Sequence, residues 1–321
     1  VAQNACDTLV FLPGERQIHD AAHGLRRYFG ERFDILPLYA RLANQDQAKV
    51  FEPGAKVRIV LATNLAETSI TVPRIGYVID SGIVRVSRYS PRRKVQLLPL
   101  EPISKSSAAQ RAGRCGRIAP GVCYRLYSQE DFESRPDYPE AEIHRTHLAG
   151  VILQMKAMNL GEPGVFPFIE APALKMINDG YQLLEELGAV RNRILTSLGR
   201  KMARLPLDPR IARLVMTAND CLYEILIIAS SLSVMDVVDV PREAKQIGQQ
   251  RHGEFRSKRS DFITTLLVWH RLEWHRLHLT RQEFRSWCEK HFISLTRYYE
   301  WRDVHKQLRL LVHDKPNSVD A

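Results

Sequence analysis

Between residues 110 and 117 the chain reads Gln110-Arg111-Ala112-Gly113-Arg114-Cys115-Gly116-Arg117. The arginines recur at a spacing of three, with glycines between them where a ligand can approach the backbone closely. On a short helix that spacing puts the guanidinium groups on nearly one face. A guanidinium is permanently charged and matches phosphate oxygens two at a time. Such a cluster suits a triphosphate, because arginine stabilises the charge that develops during phosphoryl transfer. A solvated basic helix shows the same bare spacing, so the weight falls on the complete string and on the elements around it.

Those elements begin as short apolar runs rich in β-formers: Thr8 to Leu12, Ile35 to Tyr39, Val57 to Ala62, Ile75 to Asp80 and Val122 to Leu126. Helical or loop segments separate them, which implies a parallel α/β sheet. Open sheets of this kind bind ligands at the carboxyl ends of their strands. Thr63 and Asn64 follow such a strand, where a hydroxyl and an amide can hold a nucleic-acid phosphate without reading sequence. Helix capping is the other role open to both. Between residues 85 and 95, alternation on either side of Ser90-Pro91 reads as a β-hairpin carrying Arg85, Arg88, Arg92, Arg93 and Lys94. It is either a nucleic-acid contact or an exposed, solvated ribbon.

From Ile143 onward the apolar period becomes helical, as in Leu148, Ile152, Met155 and in Leu174, Ile177, Tyr181, Leu184, Leu187. Gly188 stands where a helix would stop, and the short pieces Ala189-Val190 and Ile194-Leu195 follow it. Helices followed by a small hairpin predict a winged helix. Further helical runs, Leu222 to Leu232, Phe262 to Leu277 and Tyr298 to Val312, predict a bundle, and Trp269, Trp274, Trp287 and Trp301 mostly suit its core. The expected division is 1–128, 129–196 and 197–313, with a frayed tail over 314–321.

Composition narrows the function classes. The 321 residues are 45% apolar and 26% charged, with 17 Gly and 17 Pro, which excludes collagen, low-complexity and disulfide-scaffold classes. No apolar run reaches about 18 residues and no signal-peptide pattern opens the chain, so a soluble, cytoplasmic protein with no membrane partner is expected. A net charge of +10 points to a polyanionic partner. The 5 cysteines are widely spaced with no CxxC pair, so neither a metal cluster nor a disulfide is expected.

The string Gln110 to Arg117 resembles motif VI of superfamily 2 helicases, and other motifs precede it in order. Leu9-Val10-Phe11-Leu12-Pro13-Gly14 resembles motif IV, Ala62-Thr63-Asn64-Leu65-Ala66-Glu67-Thr68-Ser69-Ile70-Thr71 motif V, and Val78-Ile79-Asp80-Ser81-Gly82 the strand after it. Together they identify the chain as resembling the DEAH-box RNA helicases. Val151-Ile152-Leu153-Gln154-Met155, Phe166-Pro167-Phe168 and Leu184-Glu185-Glu186-Leu187-Gly188-Ala189 resemble the bacterial members.

This resemblance implies a second RecA-like domain, a winged helix and a helical bundle with a ratchet helix. It implies that Gln110, Arg114 and Arg117 reach the γ-phosphate of ATP or another nucleoside triphosphate, with Ser69 beside the nucleotide and Phe51 stacked on the base. The basic hairpin would lie along the nucleic-acid channel. The implied partner is single-stranded RNA, or an RNA duplex with a single-stranded end, and translocation would run 3′ to 5′. Monomer is the default state, and ribosomal partners stay open.

Departures from the family pattern define a further expectation. The chain has no G-x-x-x-x-G-K-[ST] and no Asp-Glu-Ala-His, so the phosphate cradle and the Mg²⁺ carboxylates would belong to a missing first RecA-like domain. The chain would then be a fragment of a longer hydrolase, starting at motif IV, inactive alone and ending before any oligonucleotide-binding barrel. Met216 to Glu224 reads a few residues shorter than the family norm. The alternative is a non-catalytic nucleic-acid or protein-binding module on a helicase-like scaffold, against which the intact Gln110, Arg114, Arg117 and Ser69 argue.

Overall fold

The computed structural model describes residues 6–42, 44–52, 54, 56–90, 93–117, 120–240 and 245–313, which fall into two compact units, Val1–Thr146 and His147–Ala321. In the first unit, β1 (Asp7–Phe11), β2 (Asp34–Leu38), β3 (Arg58–Ala62), β4 (Ile75–Asp80) and β9 (Val122–Arg125) form one sheet in the order β2-β3-β1-β4-β9. Every pairing in it is parallel. The expected strands agree with these to within one residue at either end.

A parallel sheet needs both faces covered. Helix α1 (Glu15–Phe29) lays Ile18 and Ala22 against Ile35 and Leu61 on one face. On the other, Leu9, Phe11, Val60, Ala62 and Val78 pack with Val50, Ala66 and Cys115. Two short helices, α2 (Asn44–Ala48) and α3 (Leu65–Thr68), lie on either side of β3 in sequence.

The basic hairpin is longer than the alternation around Ser90 predicts. Strand β5 (Ile83–Arg85) pairs with β8 (Leu100–Pro102), and beyond them β6 (Arg88–Ser90) pairs with β7 (Val95–Leu97), all antiparallel. Its outer part is pinned to the segment near residue 145, where the Tyr89 amide donates to the Arg145 carbonyl at 2.8 Å.

The expected boundary at residue 128 falls inside the first unit, which continues to Thr146. Composition changes there because α5 (Gln129–Ser134) begins, with the Ser128 hydroxyl accepting from the Asp131 amide. Arg135 then ties the helix back. Its guanidinium lies over the Tyr127 ring at 3.9 Å and donates to the Gly82 carbonyl at 2.9 Å. Backbone bonds from Lys105 and Ser106 to the carbonyls of Pro136 and Asp137 hold the rest.

In the second unit, α6 (Ala149–Ala157) and α7 (Leu174–Glu186) pack together before a two-stranded hairpin, β10 (Val190–Arg191) and β11 (Ile194–Leu195). Gly188 has φ +71°, the left-handed conformation a helix terminator needs, as its position after the periodic run predicts. Helix α8 (Ser197–Ala203) follows. Then α9 (Pro209–Met216) starts on Asp208, whose carboxylate accepts from the Arg210 amide, with proline at the first helical position.

The bundle comprises α10 (Leu222–Leu232), α11 (Lys245–His252), α12 (Asp261–His278), α13 (Arg281–Lys290) and α14 (Leu295–His313). A turn over Asn219–Cys221 joins α9 to α10. The expected runs at 222, 262 and 298 are α10, α12 and α14; α13 lies between them and opens on a capping box, Thr280 with Glu283. Trp269 and Trp301 are buried, and the Trp301 indole donates to the Ile227 carbonyl at 3.0 Å. Trp287 is half-buried against the same core, but Trp274 is exposed and stacks on His278. The expected tail lies outside the described residues. No helix among the described residues is long and apolar enough to cross a membrane.

The bundle should weaken in mild acid. His305 Nε2 and His275 Nδ1 are buried without a hydrogen-bond partner. Burial, together with nearby Arg309, lowers the pKa of His305 against the opposing pull of Glu273. Burial, Arg271, His291 and His278 lower that of His275 against Glu254. Folding therefore favours the neutral rings, and the unfolded chain takes up protons first as pH falls. This stabilisation is complete above about pH 6.5 and is lost progressively below it. The urea midpoint should drop between about pH 7.5 and 5.5, and replacing both histidines with glutamine should reduce that slope.

Candidate nucleotide site

Helix α4 (Lys105–Ala112) begins on Ser104, whose hydroxyl accepts from the Ser107 amide, and it ends before Gly113. Only the first arginine of the string is therefore helical, and the three guanidinium groups do not share a face. Arg111 points into the core at 1% exposure. Its Nε donates to Glu67 at 2.9 Å and its Nη1 to Asp80 at 2.7 Å, and the group lies 4.9 Å from the centre of the Phe11 ring. Asp80 also accepts from the Tyr127 hydroxyl and the Gly82 amide, both at 2.9 Å. This buried network locks α4 to α3 and β4.

Arg114 and Arg117 turn the other way. The Arg114 side chain is buried against α3, where it donates to the Glu67 carbonyl and, at 3.2 Å, to the Ile70 carbonyl. Burial, then the neighbouring Arg117 charge, lower its pKa. Arg117 is exposed and donates to the Thr71 hydroxyl at 2.6 Å. Gln110, Gly113, Arg114, Arg117, Glu67 and Thr68 together line an open hollow. The Glu67 carboxylate is already engaged by Arg111, so the hollow presents amide and guanidinium N–H groups. That donor set fits an anion, and it offers no spare carboxylate for a cation.

The other expected residues do not line this hollow. Ser69 is exposed at the end of α3, with its amide on the Leu65 carbonyl and its hydroxyl 3.5 Å from that of Thr68. Phe51 is 46% exposed on the turn after α2, so it is not a core residue packed on the sheet. Thr63 is half-buried, with its hydroxyl 3.5 Å from the Leu65 amide, too long for a strong cap. Asn64 is exposed and makes no side-chain capping bond.

On the hairpin, Arg88 is paired rather than presented to a ligand. It donates to Glu101 at 2.9 Å and lies 2.6 Å from Glu140, and the Glu101 hydrogen bond, aided by Glu140 against the opposing effect of burial, raises its pKa. Arg85 donates to the Leu98 carbonyl at 3.2 Å. Arg93 and Lys94 are exposed near the tip, and Arg92 lies outside the described residues.

Glu67, Thr68 and Arg111 are site or support residues that spacing alone did not reveal. Cys115, Cys123, Cys221 and Cys288 form no disulfide. Burial, then Asp80, push the Cys123 thiol up to about 11, and burial raises Cys115, so both are poor nucleophiles. Among the described residues no group of three or more histidine, cysteine or acidic side chains is placed to hold a metal.

A five-stranded parallel sheet whose arginine motif frames an anion hollow, followed by a winged helix and a helical region, matches three helicase domain families. The helicase conserved C-terminal domain covers residues 2–119. The winged-helix and ratchet-like parts of the helicase associated domain (HA2) cover 181–207 and 208–265. The winged-helix match thus takes in α8, past the expected limit at 196. The chain therefore consists of the helicase conserved C-terminal and helicase associated (HA2) domains, as in DEAH-box RNA helicases.

The relatives are more specific. The chain is 48% identical to the ATP-dependent RNA helicase HrpA homolog of Haemophilus influenzae, over 100% of this chain and 25% of that protein. It is 48% identical to HrpA of Escherichia coli, over 98% and 25%. To the probable ATP-dependent RNA helicase DHX35 of Homo sapiens it is 33% identical, over 95% and 45%. The crystal structure of the E. coli DExH-box NTPase HrpB superimposes with a TM-score of 0.67 at 32% identity, over 75% of this chain and 30% of that one. The chain thus spans about a quarter of the length of the bacterial HrpA relatives.

Proposed function

We propose that this chain is the second RecA-like domain, winged helix and ratchet-like bundle of an ATP-dependent RNA helicase, working with a first RecA-like domain held on the same polypeptide. The observation that carries this reading is the convergence of Gln110, Arg114 and Arg117 on one hollow whose only carboxylate is already neutralised. Such a half-site binds the terminal phosphates of a nucleoside triphosphate but holds no Mg²⁺. The metal, which neutralises phosphate charge when bound, falls to carboxylates of the first domain.

In this reading Arg114 and Arg117 stabilise the charge developing on the transferred phosphoryl group, and Gln110 orients its surroundings. Ser69 reports the nucleotide state, and Phe51 takes the base. Thr63 and Asn64, at the carboxyl end of β3, contact the RNA backbone, and the hairpin borders the channel with Arg93, Lys94, Arg92 and Arg85. Arg88 holds the hairpin rigid through Glu101 and Glu140. Contacts of this kind are to phosphate, so RNA is bound with little regard to sequence. The protein acts as a cytoplasmic monomer.

Strand displacement tests the proposal. The protein extended upstream to the length of its relatives should, with ATP and Mg²⁺, separate an RNA duplex bearing a 3′ single-stranded end and leave one with only a 5′ end intact. Displacement of neither, with hydrolysis unaffected by RNA, would contradict it and favour a binding module.

A further inference from the structure

Outside the hollow, the described residues of the first unit include a further buried ion pair. Asp7 and Arg58, the first residues of β1 and β3, are 0% and 1% exposed. Arg58 uses all five of its N–H donors. Nε and Nη2 donate to the same Asp7 oxygen at 2.8 and 2.6 Å, while the Arg58 amide takes the other Asp7 oxygen at 2.9 Å. Nη1 donates to the Val50 carbonyl at 2.8 Å and the Glu52 carbonyl at 2.9 Å, and Nη2 reaches the Pro73 carbonyl at 3.4 Å.

These acceptors are not arbitrary places on the chain. Val50 and Glu52 flank Phe51, so one nitrogen clamps the backbone on both sides of the exposed ring. Pro73 lies two residues beyond Thr71, whose hydroxyl receives Arg117. A single buried guanidinium therefore ties the turn that presents Phe51 to the segment on which Arg117 rests. A buried ion pair is an uneconomical source of stability, since well-packed apolar residues of similar volume often serve as well or better. Its planar fork, however, fixes several acceptors in one geometry, which neither an apolar side chain nor lysine can do.

We propose that Arg58, anchored by Asp7, is a positioning residue for nucleotide-base binding, holding Phe51 in register with the arginine motif. The inference rests on the reading of Phe51 as the ring that stacks on the base. It predicts that loosening the clamp costs affinity for the base and spares the phosphate contacts.

The test uses the extended protein, with ATP as substrate and inorganic tripolyphosphate, which has no base, as competitive inhibitor. Phe51→Ala and Arg58→Lys should each raise KM for ATP, by roughly 5- to 100-fold for loss of a stacked base. In both, kcat should stay within about twofold and the tripolyphosphate inhibition constant should not move. The double variant should be no worse than Phe51→Ala alone, because the two residues act as one unit. Asp7→Asn keeps an acceptor for Arg58 and should show the same split with a smaller rise, which carries the test if Arg58→Lys does not fold. The proposal is overturned if the clamp variants leave KM unchanged while Phe51→Ala raises it, if tripolyphosphate binding weakens in parallel, or if the double variant is additive. An unchanged KM in Phe51→Ala would instead overturn the stacking reading beneath it.

Discussion

Arg114→Ala in the extended protein is expected to reduce RNA-stimulated ATP hydrolysis by about 10³–10⁵, the range an arginine acting on the transferred phosphate supplies. RNA binding should stay nearly intact, because Arg114 faces the hollow and not the hairpin. The fold should also survive. Arg114 donates only to the carbonyls of Glu67 and Ile70 and neutralises no buried carboxylate, so its loss costs on the order of 1–3 kcal/mol. Those two bonds have a mechanistic side. They tie the position of Arg114 to the segment carrying Ser69, so movement in motif V is felt at the arginine. Steady-state hydrolysis with and without RNA, alongside a melting curve, checks the prediction, and activity retained within severalfold would remove Arg114 from the phosphate site.

Arg111→Ala, three residues away, is expected to do the reverse. It strips the partner from Glu67 and Asp80, both buried, and leaves two carboxylates in the interior without a counter-charge. Breaking a buried pair in this way costs about 3–5 kcal/mol, a large share of a domain's stability. Urea unfolding of the present chain should show the loss, whatever nucleotide is added. A midpoint within error of the parent would mean that the network contributes nothing to the fold. The two arginines share one motif and a spacing of three, and their environments assign them opposite work.

That contrast marks what a single sequence reveals. The five sheet strands were legible because their β-rich runs are bounded by polar turns, and the helix stop at Gly188 because a positive φ selects glycine. The anion hollow was legible in outline, since Gln110, Arg114 and Arg117 do line it. Arg111 was not, because the helix ends at Ala112 and the motif's spacing does not say which guanidinium faces inward. Arg88 looked like its neighbours on the ribbon, and only the fold brings Glu140 to it. The Asp7–Arg58 clamp joins residues 51 apart, and no periodicity links them. The first compact unit runs past residue 128 to Thr146 because Arg135 ties α5 back through Gly82, a contact that gives no local signal.

The most direct measurement is ATP hydrolysis, with and without single-stranded RNA, by this chain alone and by the protein extended upstream through a first RecA-like domain. The account predicts activity only in the extended form, raised by RNA. Hydrolysis by the present chain alone, or silence in both, would contradict the division of the site between two domains.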